Sequence, residues 1–271
     1  MNRGLIFKSI GETWAGTLCF AAGVFAFQIL LAVILPNFQE GLDEILKHLK
    51  FVQYMIAALL GTQVSAQMGP KAFEALPWVH PAILALMWAH GIMFCTRLPV
   101  AEVERGTIDV LLALPVRRST VLVSDTVVWI LWGCVLAGVA LAGNLLGALS
   151  SKSDLPIEFL TRMGIAVNFV CVYLCVGGVA RVLSSICERR SRAVGAAFAV
   201  VIASFVLQTL AMFNEGLAGL SFLGVLEYYR PLQALSGRGW ALGDMTTLLL
   251  VAGVLWTISV MLFVRRDIRT N

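Results

Sequence analysis

The chain has 271 residues, 59% hydrophobic and 13% charged, with a net charge of +4. An ordinary globular domain carries about a quarter charged residues, so this much apolar side chain excludes a soluble enzyme and calls for the bilayer as solvent. The small positive charge is scattered in short runs, which excludes the clustered basic footprint that a nucleic-acid partner requires.

A helix crossing a hydrocarbon core of about 30 Å needs about 20 largely apolar residues, because each adds about 1.5 Å of rise. Six stretches meet that length, with the charges gathered between them. They predict an all-α polytopic membrane protein of about six transmembrane helices, forming one transmembrane domain over residues 1–271. Residues 1–13 mix Leu5, Ile6, Phe7 and Ile10 with Arg3, Lys8 and Glu12, a pattern suited to a short interfacial helix. It leads into a first span near 15–36, whose length reads as an anchor rather than a cleaved signal. Beyond Pro36, Leu42, Ile45, Leu46 and Leu49 recur at helical spacing opposite Asp43, Lys47 and Lys50, predicting an amphipathic helix on the outer surface. Residues 51–70 are uncharged but carry Gln53, Gln63 and Gln67. Those amides would be unpaired in lipid, so this stretch reads as interfacial, re-entrant or packed on the bundle rather than spanning.

Pro77 and Pro81 flank Trp78 at the expected lipid boundary and open a second span near 78–96. A charged segment, 97–119, leads to a third span near 126–149 and a fourth near 163–182. The turn Cys187-Glu-Arg-Arg-Ser-Arg192 precedes a fifth near 193–213. The following stretch is Gly-rich and contains Glu227, Tyr228, Tyr229 and Arg230. Such a loop can dip into the protein without crossing before a last span near 245–264. With six spans the twenty Lys and Arg divide thirteen to seven. The richer side stays in the cytoplasm, which puts both termini there; the plasma (inner) membrane is the expected location.

Within the spans, ionisable and small residues stand out. His90 lies deep in the second span and is a candidate for contact along a substrate path or gate, whereas His80 suits the interface. Glu227, Tyr228 and Arg230 suit either an outer gate or an aromatic anchor with a surface ion pair. Cys171 and Cys175, one helical turn apart, could present two thiolates to a metal; without further ligands they read as packing, and no metal site is assigned. The six cysteines sit in or beside spans, not in a disulfide framework. Gly143 with Gly147, and Gly195 with Ala199, form small-x-x-x-small pairs that permit close helix approach. Acidic residues fall at span ends and in loops, which disfavours a proton-coupled carrier. No hydrolase constellation is present.

The segment 97–119 carries the strongest functional signal. Thr107 can cap a short helix, Asp109 sits in its first turn, Ile108, Leu111 and Leu112 share one face, and Pro115 stops it. So short a helix is unstable alone in water. It must lie on the chain's own bundle or in a partner's groove, with Glu102, Glu104, Arg105 and Asp109 at the rim. Glu102 or Glu104, Gly106-Thr107, Asp109, Leu111-Leu112, Pro115 and Arg117-Arg118-Ser119 follow an order and spacing that resembles the first cytoplasmic loop of type-2 ATP-binding-cassette (ABC-2) exporter permeases. The six spans and the dipping loop before the last one resemble that family too. The resemblance implies a transport subunit, not an enzyme, in which residues 102–115 couple to ATPase subunits. It further implies two copies of a separate ABC ATPase, which would bind ATP and Mg, and a second permease subunit, identical or related. This chain has no G-x-x-x-x-G-K-[ST] phosphate loop, and no cofactor is expected in it. The alternatives are a non-transporting membrane scaffold or assembly factor, and a secondary carrier.

Overall fold

A computed structural model describes residues 2–37, 70–113, 115, 117–150 and 158–266. The outer amphipathic helix expected near 42–50, and all of 51–70 except Pro70, lie outside the described residues. Among the described residues six helices are long and apolar enough to cross a membrane, as the composition predicts.

Helix α1, Arg3–Asn37, is continuous. The expected break between an interfacial helix and the first span is absent, because no proline intervenes and Lys8 pairs with Glu12 one turn away at 3.3 Å. The second span is broken instead. It consists of α2, Pro70–Val79, and α3, Pro81–Cys95. Pro81 disfavours helical backbone at His80, which turns to ψ 131°, and the His80 ring accepts from the Ala82 amide to cap α3. Trp78 is wholly buried beside this break, edge-on to Phe169 with ring centroids 6.3 Å apart. It is a core residue, not the lipid-boundary anchor its flanking prolines suggest.

The chain continues through a short helix α4, Ile108–Leu112, then α5, Arg118–Ser150, α6, Phe159–Ile186, α7, Arg190–Phe213, and α8, Leu242–Arg265. Helix α6 is the central post: 72% of its apolar stretch is buried inside the protein, against 22% for α7 and for α8. Outward leucines such as Leu249 and Leu250 on α8 suit lipid. Helix α1 lies along α5, and Gly143 and Gly147 make that approach. A Cβ on Gly147 would come within 2.6 Å of Ala32 Cβ, and one on Gly143 within 2.9 Å of the Phe25 carbonyl. This small-residue pair therefore joins two helices of one chain. Gly195, by contrast, faces open space.

The ends of the described chain, Asn2 and Arg266, lie at one end of the bundle, where the Asn2 amide donates to Ser124 Oγ at 3.1 Å and Arg118 donates to the Arg266 carbonyl at 2.9 Å. At the far end Arg162, buried, pairs with Glu74 at 3.2 Å and donates to Asn144, whose amide reaches Gln28 at 3.3 Å. Part of the stretch between α7 and α8 folds back into the main core through Leu226, Tyr229 and Leu235. The Tyr229 hydroxyl donates to the Trp78 carbonyl at 3.2 Å.

Candidate functional site

At the terminal end, residues 97–112 form a bracket tied to every long helix. Its own backbone continues α3. Arg97 donates to carboxylates on two other helices, Glu12 of α1 and Asp125 of α5, and to Ser9 Oγ at 2.7 Å. The Val100 amide donates to Ser184 Oγ on α6 at 3.2 Å. Glu104 accepts from the Arg190 backbone amide at the start of α7, at 2.8 Å. Ile108, 0% exposed, packs with Leu98, with Val121 and Leu122 of α5 and with Phe263 of α8, while Leu5 closes the cluster from α1. A five-residue helix that could not persist alone is thus seated on the bundle through Ile108.

Local chemistry explains the bracket's shape. Gly106 has φ +69°, a conformation that glycine adopts without the steric cost other residues meet, and it ends the turn that begins at Glu102. Thr107 occupies the capping position of α4, but its hydroxyl donates to the Glu102 carboxylate at 2.6 Å instead of accepting an α4 amide. Glu102 and Glu104 therefore make bonds within the chain. Asp109 and Val110 point outward, Val110 at 74% exposure. Arg105 is exposed, and so is Pro115. The side chains of Leu111 and Leu112 lie outside the described residues, so their expected shared face with Ile108 does too. Ser119 and Thr120, expected to cap the third span, fall inside the first turn of α5, which begins at Arg118.

Behind the bracket lies a charge layer. Asp125 is 3% exposed and two turns into α5, not at the end of its helix as the apolar stretch alone implies. One oxygen accepts from Ser9 Oγ at 2.9 Å and from Arg97, and the other accepts from Arg181 at 2.8 Å. Arg181 also lies over the Trp129 ring, 4.9 Å from its centroid. A lone buried charge is costly and a paired, hydrogen-bonded one is tolerated, which is why these groups meet. Glu12, Arg97, Asp125 and Arg181 each bound a long uncharged stretch of the sequence. Assigning all four to the same end would have flagged the layer, although not its pairing.

A cleft of about 420 Å³ opens beside this layer, between α1, α3, the bracket and the start of α7. Glu12, Thr13, Gly16, Thr17 and Phe20 form its α1 wall, and His90, Met93, Phe94 and Arg97 the opposite one. Glu102, Arg105 and Arg190 complete it. His90 is 4% exposed, and both ring nitrogens have partners, Thr17 Oγ1 and the Tyr173 hydroxyl, each at 3.0 Å. The Tyr173 ring fits because Gly91 and Gly133 lie against it; a Cβ on Gly133 would come within 2.6 Å.

The remaining predicted path residues lie elsewhere. Glu227 and Arg230 pair with each other, the Tyr228 hydroxyl donates to the Phe222 carbonyl at 3.0 Å, and the Tyr228 carbonyl accepts from Asn168 at 3.0 Å. None of the three lines the cleft that His90 borders. Cys171 and Cys175 are buried in the main core.

Comparison with known proteins agrees with this architecture. No curated protein matches the chain. The family model described as "ABC-2 family transporter protein" matches residues 12–268, which takes in all of the bracket and nearly all of the six long helices. This multi-pass chain belongs to the ABC-2 family of membrane transporter proteins.

Proposed function

We propose that the chain is the membrane-embedded subunit of an ATP-driven exporter in the plasma membrane, and that its bracket receives the force of separate ATPase subunits. Both termini and the bracket then face the cytoplasm, in keeping with the thirteen-to-seven division of basic residues. Two ATPase copies bind ATP and Mg, and a second permease subunit completes the membrane part.

One observation carries this reading: α4 is fixed to the bundle through Ile108 while Asp109 and Val110 project away from it. An apolar side chain held out on a helix too short to stand alone is a surface that another subunit can cover. The bracket's bonds to α1, α5, α6 and α7, and the seat of Ile108 against α8, mean that a push on α4 reaches all the long helices together. Packed elements of this kind switch as rigid bodies between discrete arrangements, and the substrate path would open or close in that step.

The test is affinity purification from native membranes, with identification of co-purifying ATPases. Wild type should retain an ABC ATPase, and Val110→Asp should weaken that association at least about tenfold while leaving thermal unfolding unchanged, because Val110 is exposed. Absence of any ATPase from the wild-type preparation favours the scaffold alternative, and ATP-independent transport in vesicles favours the secondary carrier. Either result refutes the proposal.

A further inference from the structure

The cleft beside the bracket has a graded chemistry that specifies a class of ligand. Its rim carries Arg105, exposed, and Arg190, half-buried, while Thr17, His90 and Phe94, all buried, line it with Phe20. Arg97, Arg105 and Arg190 therefore converge on one space. The lining carboxylates are already engaged: Glu12 holds Arg97 and Lys8, and Glu102 holds the Thr107 hydroxyl. Arg190 donates to the Met93 carbonyl at 3.0 Å, and among the described residues the Arg105 guanidinium makes no ion pair or hydrogen bond. A guanidinium without a carboxylate, beside a second one that donates to a carbonyl with the Glu104 carboxylate nearby, leaves the space suited to an anion such as a phosphate or carboxylate. Phe20, Phe94 and Met93 give the same space an apolar wall. Its volume falls within the range of about 300–1,000 Å³ typical of small-ligand sites.

From these features we infer that the cleft binds an anionic amphiphile, its headgroup on Arg105 and Arg190 and its apolar part against Phe20, Phe94 and Met93. This extends the exporter reading by naming the chemical class that enters from the side of the termini, and it rests on that reading for its role in transport. The bracket supplies Arg105 and Glu102 while α7 supplies Arg190, so displacement of the bracket would change the headgroup site. Ligand occupancy and the coupling surface thereby share one mechanical element.

The test uses the permease alone in nanodiscs of zwitterionic lipid, titrated calorimetrically with hexyl phosphate after subtraction of empty nanodiscs. One saturable site per chain is expected. Inorganic phosphate and hexanol should each bind at least about tenfold more weakly, since each lacks one half of the recognition, and hexyltrimethylammonium should not compete. Arg105→Gln should weaken hexyl phosphate at least about tenfold, the effect of losing a charged hydrogen bond. Gly16→Leu should abolish binding, because a Cβ there meets nothing within 4 Å and the side chain can grow into the cleft without displacing a neighbour. The inference is overturned if inorganic phosphate binds as tightly as hexyl phosphate, if the ammonium competes, or if both variants unfold cooperatively yet bind like wild type. ATPase co-purification with wild type and with Gly16→Leu separates the two proposals. Retained ATPase without hexyl phosphate binding in wild type refutes the ligand class alone, whereas hexyl phosphate binding without any ATPase refutes the coupling alone.

Discussion

Asp125→Asn should be among the most damaging single changes in the chain that preserve side-chain size. The carboxylate holds Arg181 at 2.8 Å and also Arg97, and both Asp125 and Arg181 are almost fully buried. Asparagine removes the charge and turns an amino group toward one of the guanidiniums. Arg97 keeps Glu12, but Arg181 is left without a carboxylate among the described residues, facing the Trp129 ring and the Cys95 thiol. Removing one member of a buried pair costs about 3–5 kcal/mol. At about 2–4 °C per kcal/mol for a chain of this order of size, the thermal midpoint should fall by roughly 6–20 °C, read by tryptophan fluorescence of the purified protein in detergent. Adding Arg181→Met removes the stranded charge while keeping an apolar side chain in its place. The double variant should therefore recover at least about 1.5 kcal/mol relative to the sum of the single changes. A midpoint within about 2 °C of wild type for Asp125→Asn, or a double variant no better than additive, would refute the claim that the pair is energetically coupled.

Further outcomes follow from three glycines. Gly147→Val should destabilise by about 1–3 kcal/mol or more, by forcing α5 off α1 at Ala32 and Ile29. Gly195→Ala, where the added methyl meets nothing, should be neutral or stabilise by up to about 1 kcal/mol through helix propensity. Equal midpoints for the two variants would contradict the described α1–α5 packing. Gly106→Ala places a Cβ on a residue with φ +69°, at about 1–2 kcal/mol, and should weaken ATPase retention about five- to thirtyfold. Gly106→Asn should be milder, since asparagine tolerates that backbone region better. Alanine retaining the ATPase as well as glycine would show that the turn's conformation is irrelevant to coupling.

The six long helices were legible because each needs only a run of apolar residues long enough to cross lipid, a property of composition along the chain. The ends of the helices were less so. Arg118 and Asp125 lie inside α5, and residues from Arg3 onward inside α1, because charged residues continue a helix as readily as they leave the hydrocarbon. In the bracket, the start of a helix at Ile108 was readable from the pattern around Gly106-Thr107, whereas the turning of Glu102 and Glu104 back onto Thr107 and Arg190 was not. Trp78 shows the same limit. Two flanking prolines marked a helix entrance, yet Phe169 and Tyr229, remote in sequence, bury that tryptophan.

The amino-acid sequence by itself determined that the chain lives in a membrane, about where it crosses, and which segment carries a short amphipathic turn, since these depend on local hydropathy and backbone preference. Only the tertiary structure decided that Glu12, Arg97, Asp125 and Arg181 form one layer, that Ile108 is seated on the bundle, and that three arginines share a cleft with Phe20 and Phe94. The physical reason is that burying a charge or closing a cleft requires partners from different helices. Which faces meet is set by glycine-permitted close approach and by the pairing of buried groups across the bundle, neither of which has a period along the chain.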